Sequence, residues 1–139
     1  MRYLGLDLGT KTLGVAITDK TNSICSPLKV IRFNESNYEE LIEPVKELVE
    51  SYKITGIALG LPKNMDNSLG FAAERSMKFK ELLENNLDIE ISLIDERLST
   101  KEAESILFNT GNNGKKRKNI IDGVAATIIL ETYLKKKGN

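Results

Sequence analysis

"YLGLDLGTKTLGVAITD", residues 3–19, decides the fold. Leu4, Leu6 and Leu8 alternate with Tyr3, Gly5 and Asp7, the two-residue period of a strand. Gly9, Thr10 and Lys11 supply a turn, and residues 13–18 resume as a second strand, so the segment reads as an antiparallel hairpin. Asp7 puts a carboxylate inside a strand otherwise built for burial. An acid just ahead of a glycine turn can serve by bonding the loop backbone. The other acids of the chain bear on whether that role is enough.

Outward from the hairpin, residues 24–33 (ICSPLKVIRF) give a third strand, with Pro27 near its start or at a sheet edge. Residues 37–52 carry Leu41, Val45, Leu48, Val49 and Tyr52 at helical spacing, and Pro44 is expected to kink or interrupt that helix. ITGIALG, 54–60, is a continuous apolar run, as in a strand covered on both faces. Residues 61–68 form a loop, and 69–86 a second helix offering Phe71, Met77, Phe79 and Leu82 or Leu83 to the core. Residues 89–95 alternate as a strand. Ser99 and Glu102 make a capping box that opens a helix to about Asn109. Residues 110–119 read as a flexible basic loop and 120–137 as the last helix, ending in Lys135–Lys137 where the helix dipole favours cations. The order β-β-β-α-β-α-β-α-α predicts one α/β domain over residues 1–139. Its sheet is mixed and five-stranded, a three-strand antiparallel meander extended by two parallel strands, with helices on both faces.

Composition narrows the chemistry. The chain has 139 residues, 40% of them hydrophobic, enough for one core. Lys plus Arg and Asp plus Glu number 20 each, so a polyanionic partner must be met by a local patch and not by net charge. Cys25 is the single cysteine, which excludes an internal disulfide and a Cys-rich zinc site. There is no histidine, which removes Ser-His-Asp and Cys-His catalysis and His-ligated zinc. Chemistry must then rest on carboxylates, lysines, hydroxyls and a hard metal. No apolar run approaches the about 18 residues of a membrane span. The first residues lack a signal-peptide pattern, so a soluble cytoplasmic protein without a membrane partner is expected.

Two further acidic positions stand out. Asp95 and Glu96 end the strand that begins at Ile89; Ile89, Ile91, Leu93 and Asp95 share one face, and Glu90, Ser92, Ile94 and Glu96 the other. Asp122 falls three, four and seven residues before Ala125, Ala126 and Ile129, on the small apolar stripe of the last helix. An acid near a helix start answers the dipole, but an acid on an inward stripe costs several kcal/mol unless paired or bound to metal. Acids from a first strand, a later strand and a last helix, in a chain lacking histidine, point to a site for Mg²⁺ or Mn²⁺. Such ions take oxygen ligands, and two of them can activate a water and stabilise the leaving oxygen in phosphodiester hydrolysis, as in a two-metal endonuclease, without a histidine base.

The residues now match a known family. The chain resembles the YqgF family, described as Holliday junction resolvases and as pre-16S rRNA nucleases, with a ribonuclease H-like fold. LGLDLGTKTLGVAITD is similar to its opening motif, GLPKNMDNSLGFAAERSMKF (60–79) to its loop and helix, IDERLSTKEAE (94–104) to its DER segment, and KNIIDGVAATIILETYL (118–134) to its closing helix. The resemblance implies Asp7, Glu96 and Asp122 as the catalytic, metal-holding triad, with Asp95 a further candidate ligand. Thr12 stands where the family often has arginine, and Asn67-Ser68 where a glycine is usual.

Candidate contacts to nucleic acid surround these acids. Thr10 and Lys11 lie on the glycine turn beside Asp7, where backbone amides can receive a phosphate. Arg97 can hold a phosphate bidentately or pair with a neighbouring acid. Asn64 follows the apolar strand and can line a groove. Lys115, Lys116, Arg117 and Lys118 form the densest positive cluster, just before Asp122, and are expected to grip backbone. With no Trp and 6% aromatic residues, recognition rests on backbone and shape. A nuclease acting on precursor rRNA or branched DNA, as a monomer or weak homodimer, is the preferred function. A nucleotide-binding module is one alternative, because DLGTKTLGVA also resembles the phosphate-binding hairpin of actin-like ATPases and sugar kinases. A non-catalytic RNA-binding assembly factor is another.

Overall fold

The computed structural model describes residues 2–35, 37–61, 70–95 and 114–136, and the side chains of all of these but 71 and 114–123. The elements are β1 (Arg2–Leu8), β2 (Thr12–Thr18), β3 (Cys25–Arg32), a short 3₁₀ turn (Tyr38–Leu41), α1 (Ile42–Tyr52), β4 (Ile54–Leu61), α2 (Phe71–Asn86), β5 (Glu90–Asp95) and α3 (Gly114–Lys136). The strands form one sheet in the order β3-β2-β1-β4-β5. β1 and β2, and β2 and β3, pair antiparallel, whereas β4 joins β1 and β5 joins β4 in parallel. This is the expected mixed sheet. The helix expected over 99–109 lies outside the described residues, as do Asn64, Glu96 and Arg97.

The two faces of the sheet differ in residue size, and that difference sets the helix positions. Leu4, Leu6, Leu8, Leu13, Val15, Ile17, Ile57, Leu59 and Ile91 point to one face. There they pack with Val45 and Leu48 of α1 and with Phe79 and Leu83 of α2. The other face carries Ala16 and Ala58, with the buried glycines 5, 14, 56 and 60 between the large residues of the first face. Small residues let a helix lie close, and α3 fills this side with Ala126, Ile129, Leu130, Tyr133 and Leu134. Helices therefore cover both faces, as the alternation of the strands requires.

Three local expectations are corrected. The stretch 110–119 is not all loop: α3 begins at Gly114, so Lys115–Lys118 are helical. Lysine and arginine are good helix formers, and charge density alone does not break a helix that continues into apolar turns. Pro44 does not break α1. It is the third residue of that helix, where a backbone N–H would have no intrahelical partner, and the irregularity lies ahead of it in the 3₁₀ turn. Met77 is 37% exposed, because the inward stripe of α2 runs through Ala73, Ser76, Phe79 and Leu83. Among the described residues no helix is long and apolar enough to cross a membrane.

Candidate active site at the carboxyl edge of the sheet

β1, β4 and β5 run parallel, so their carboxyl ends, Leu8, Leu61 and Asp95, share one edge of the sheet. In open α/β sheets this is the edge where ligands bind. Asp7 sits one residue short of the end of β1, half-buried, directly opposite Gly14 of β2. As an odd position between Leu6 and Leu8, it shares the α3 face with Tyr3 and Gly5. The glycine opposite it leaves space that a side chain would fill.

The direction of α3 follows from two contacts. The rings of Tyr3 and Tyr133 meet edge to face at 5.5 Å. Two residues further along β1, a Cβ on Gly5 would lie 2.5 Å from the carbonyl oxygen of Ala126 and 2.8 Å from Cβ of Leu130. The helix thus runs antiparallel to β1, with its amino-terminal half toward Asp7. One more two-residue step along a strand covers about 6.6 Å, the rise of about four helical residues. That step carries the helix backbone from the 126–130 turn to the neighbourhood of Asp122. Ala125, Ala126 and Ile129 are 1%, 0% and 0% exposed, so the described members of the alanine stripe face inward.

Ile94 is buried in the α3 cluster, while Ile91 is buried in the opposite one and Leu93 packs against it. Alternation gives Asp95 the Ile91 face, away from Asp7. Glu96 and Arg97 lie outside the described residues. Among the described residues no three acidic or cysteine side chains form a cation-binding group; of the expected triad, only the Asp7 side chain belongs to that set.

The turn beside Asp7 is tied down on both sides. Gly9 N–H donates to the Thr12 carbonyl at 2.8 Å, and Phe33 N–H donates to the Lys11 carbonyl at 2.9 Å. Thr10 and Lys11 are exposed there, and Thr12 is 6% exposed. Lys115, Lys116, Arg117 and Lys118 occupy the first turns of α3, the end of that helix nearer Asp7. One cation at this edge escaped the sequence reading. Arg32 is exposed and pairs across the β2–β3 ladder with Thr12, which puts both on the α3 face. Twenty residues separate the two positions in the chain, and only the register brings them together.

Asp7 is half-buried opposite Gly14, at the edge that also carries the exposed Lys11 and Arg32, and a carboxylate is a hard oxygen donor. That donor chemistry fits a divalent metal and a phosphodiester. A family model described as RuvX, Holliday junction resolvase, matches residues 1–136. A relative in Lacticaseibacillus casei strain BL23, named "Putative pre-16S rRNA nuclease", is 44% identical over 139 residues, 99% of this chain and 96% of that one. A like-named relative in Bacillus mycoides strain KBAB4 is 43% identical over 137 residues, 99% of this chain and 100% of that one. Among solved structures, Thermus thermophilus RuvC is similar with TM-score 0.60 at 13% identity, over 99% of this chain and 97% of that one. The fowlpox virus Holliday junction resolvase is similar with TM-score 0.56 at 16% identity, over 99% of each chain. The chain belongs to the RuvX (YqgF) family, and its fold is that of the RuvC-like, ribonuclease H-like resolvases.

Proposed function

We propose that this chain is a metal-dependent nuclease that hydrolyses phosphodiester bonds of structured nucleic acid, in maturation of the 5′ end of precursor 16S rRNA. The observation that carries the reading is Asp7, a half-buried carboxylate on the α3 face at the carboxyl edge, at the level that the α3 backbone reaches near residue 122. The names of the relatives supply the RNA substrate.

Asp7, Glu96 and Asp122 are the proposed ligands. Glu96 is preferred to Asp95 because Asp95 takes the face away from Asp7. A pair of Mg²⁺ or Mn²⁺ ions held by these acids would supply an activated water and stabilise the leaving oxygen. Ligands set on a strand and a helix would lower the ordering cost of the reactive geometry. Thr10, Lys11, Arg32, Asn64, Arg97 and Lys115–Lys118 hold the phosphate backbone around the scissile bond. The protein acts in the cytoplasm as a single domain, monomeric or weakly dimeric.

Holliday junction resolution is the second reading, favoured by the description of the family model. One assay tests both: cleavage of precursor rRNA, a four-way DNA junction and duplex DNA with Mg²⁺ or Mn²⁺, with Asp7→Asn as control. Cleavage of the precursor at the 5′ end of 16S rRNA, lost in Asp7→Asn, is the expected result. Cleavage confined to the junction supports the second reading. Cleavage undiminished in Asp7→Asn overturns the site.

A further inference from the structure

We propose that the recess formed by Arg2, Lys20, Ser51, Tyr52 and Lys53 is a second phosphate-binding site, which grips the nucleic-acid backbone at the end of the sheet remote from Asp7. The identity of the ligand rests on the nuclease reading; the site itself rests on geometry and charge. The recess has a volume of about 390 Å³, and three of its five lining residues are cations and none is an acid. Arg2 opens β1, Lys20 follows β2, and Ser51–Lys53 end α1, so all three segments meet at the amino edge of the parallel strands. Arg2 precedes Asp7 by five residues, about 16 Å along the strand.

Arg2 is held ready. Its Nε donates to the Thr18 carbonyl at 3.0 Å, and its guanidinium carbon lies 5.2 Å from the centre of the Tyr52 ring. Those contacts fix the plane of the guanidinium and leave its Nη donors for a bidentate acceptor. Lys53 is anchored at the end of α1, with φ 55° and ψ 52° and its N–H on the Val49 carbonyl. A cation there answers the helix dipole, which accounts for Lys53 alone and not for Arg2 or Lys20.

No carboxylate lines the recess. Among the described residues no ion pair engages Arg2, Lys20 or Lys53. Asp19, next to Lys20, is outside the lining, and its carboxylate is turned to its own loop. One oxygen accepts from the N–H groups of Ser23 and Ile24 at 2.8 and 3.2 Å, and the other from the Thr21 hydroxyl at 2.9 Å. In a chain of zero net charge, an acid-free pocket of three cations with hydroxyl donors nearby is the chemistry of a phosphate.

The test is binding by the full chain carrying Asp7→Asn, which prevents cleavage, with and without Lys20→Glu and Lys53→Glu. Both lysines are exposed, and circular dichroism checks the fold. A fluorescent RNA duplex is titrated across about 50–200 mM salt, and inorganic phosphate is titrated separately with amide NMR shifts as the readout. The expected result is about tenfold weaker RNA binding in the double variant, with the salt slope reduced by about 2. Phosphate should shift the amides of Arg2, Lys20 and 51–53. Phosphate shifts with unchanged RNA binding keep the site and assign it to a free phosphate compound. Unchanged RNA affinity and slope together with no phosphate shifts overturn it. If the unmodified protein cleaves no substrate yet the double variant binds RNA more weakly, the nuclease reading fails and this site stands.

Discussion

Gly5 and Ala126 touch backbone to backbone: a methyl group on Gly5 would lie 2.5 Å from the Ala126 carbonyl oxygen. No flexible side-chain tip is there to yield, so Gly5→Ala must push α3 away from β1. The expected cost is about 1–3 kcal/mol. Activity should fall further than the loss of folded protein explains, because the same helix carries Asp122, a proposed metal ligand. Urea unfolding and cleavage rates measured on the folded fraction check both. An unchanged midpoint would mean that α3 does not rest on Gly5.

Asp7→Asn keeps the shape of the side chain and removes its charge. Binding of a divalent ion to the native state raises the melting temperature by mass action. The unmodified protein is expected to gain thermal stability in Mg²⁺ or Mn²⁺, and the variant to gain little. Cleavage should drop by about 10³-fold, the scale of a lost electrostatic contact to the reacting group. Equal metal-induced stabilisation in both proteins would remove Asp7 from the ligand set.

Arg32 shares a face and an edge with the hairpin turn through its pairing with Thr12. Arg32→Ala should weaken binding of structured nucleic acid and lower the salt slope by about 1, with little change in the rate at saturation. A drop in the saturated rate with unchanged affinity would give Arg32 a different role.

Cys25 lies at the other end of the molecule. Burial first, then the carboxylates of Glu131 and Asp19, push its thiol from 9.0 up to about 11. Alkylation of the native protein should stay slow through pH 9.0 and rise toward a midpoint near 11, whereas the denatured chain reacts with a midpoint near 9.0. The folded value is the higher one, so the thiol's share of stability is intact below pH 9.0 and declines from there through about 11. Unfolding midpoints of the unmodified protein should fall more across that window than those of Cys25→Ala.

Much of the fold was legible because strands and helices write different periods. The alternation of residues 3–8 and the continuous run at 54–60 predicted β1 and β4 closely. The alanine stripe of the last helix predicted which side of α3 is buried. The start of α3 is not legible because a run of cations has the look of a solvated loop, while helix propensity carries the element through it. Met77 was misread because α2 has a weak apolar period, and Ala73 and Ser76 hold the inward positions.

The sequence by itself determined what chemistry is excluded: with no histidine and one cysteine, imidazole catalysis and a Cys-rich zinc site are ruled out. Only the tertiary structure decided which groups meet. Sheet register brought Arg32 level with Thr12, strand alternation turned Asp95 away from Asp7, and the close seat of α3 on Gly5 brought position 122 to the level of β1's end. Spacing along a chain fixes the face a residue takes within its own element. The relation between elements depends on pairing and packing across many residues, which no local period records.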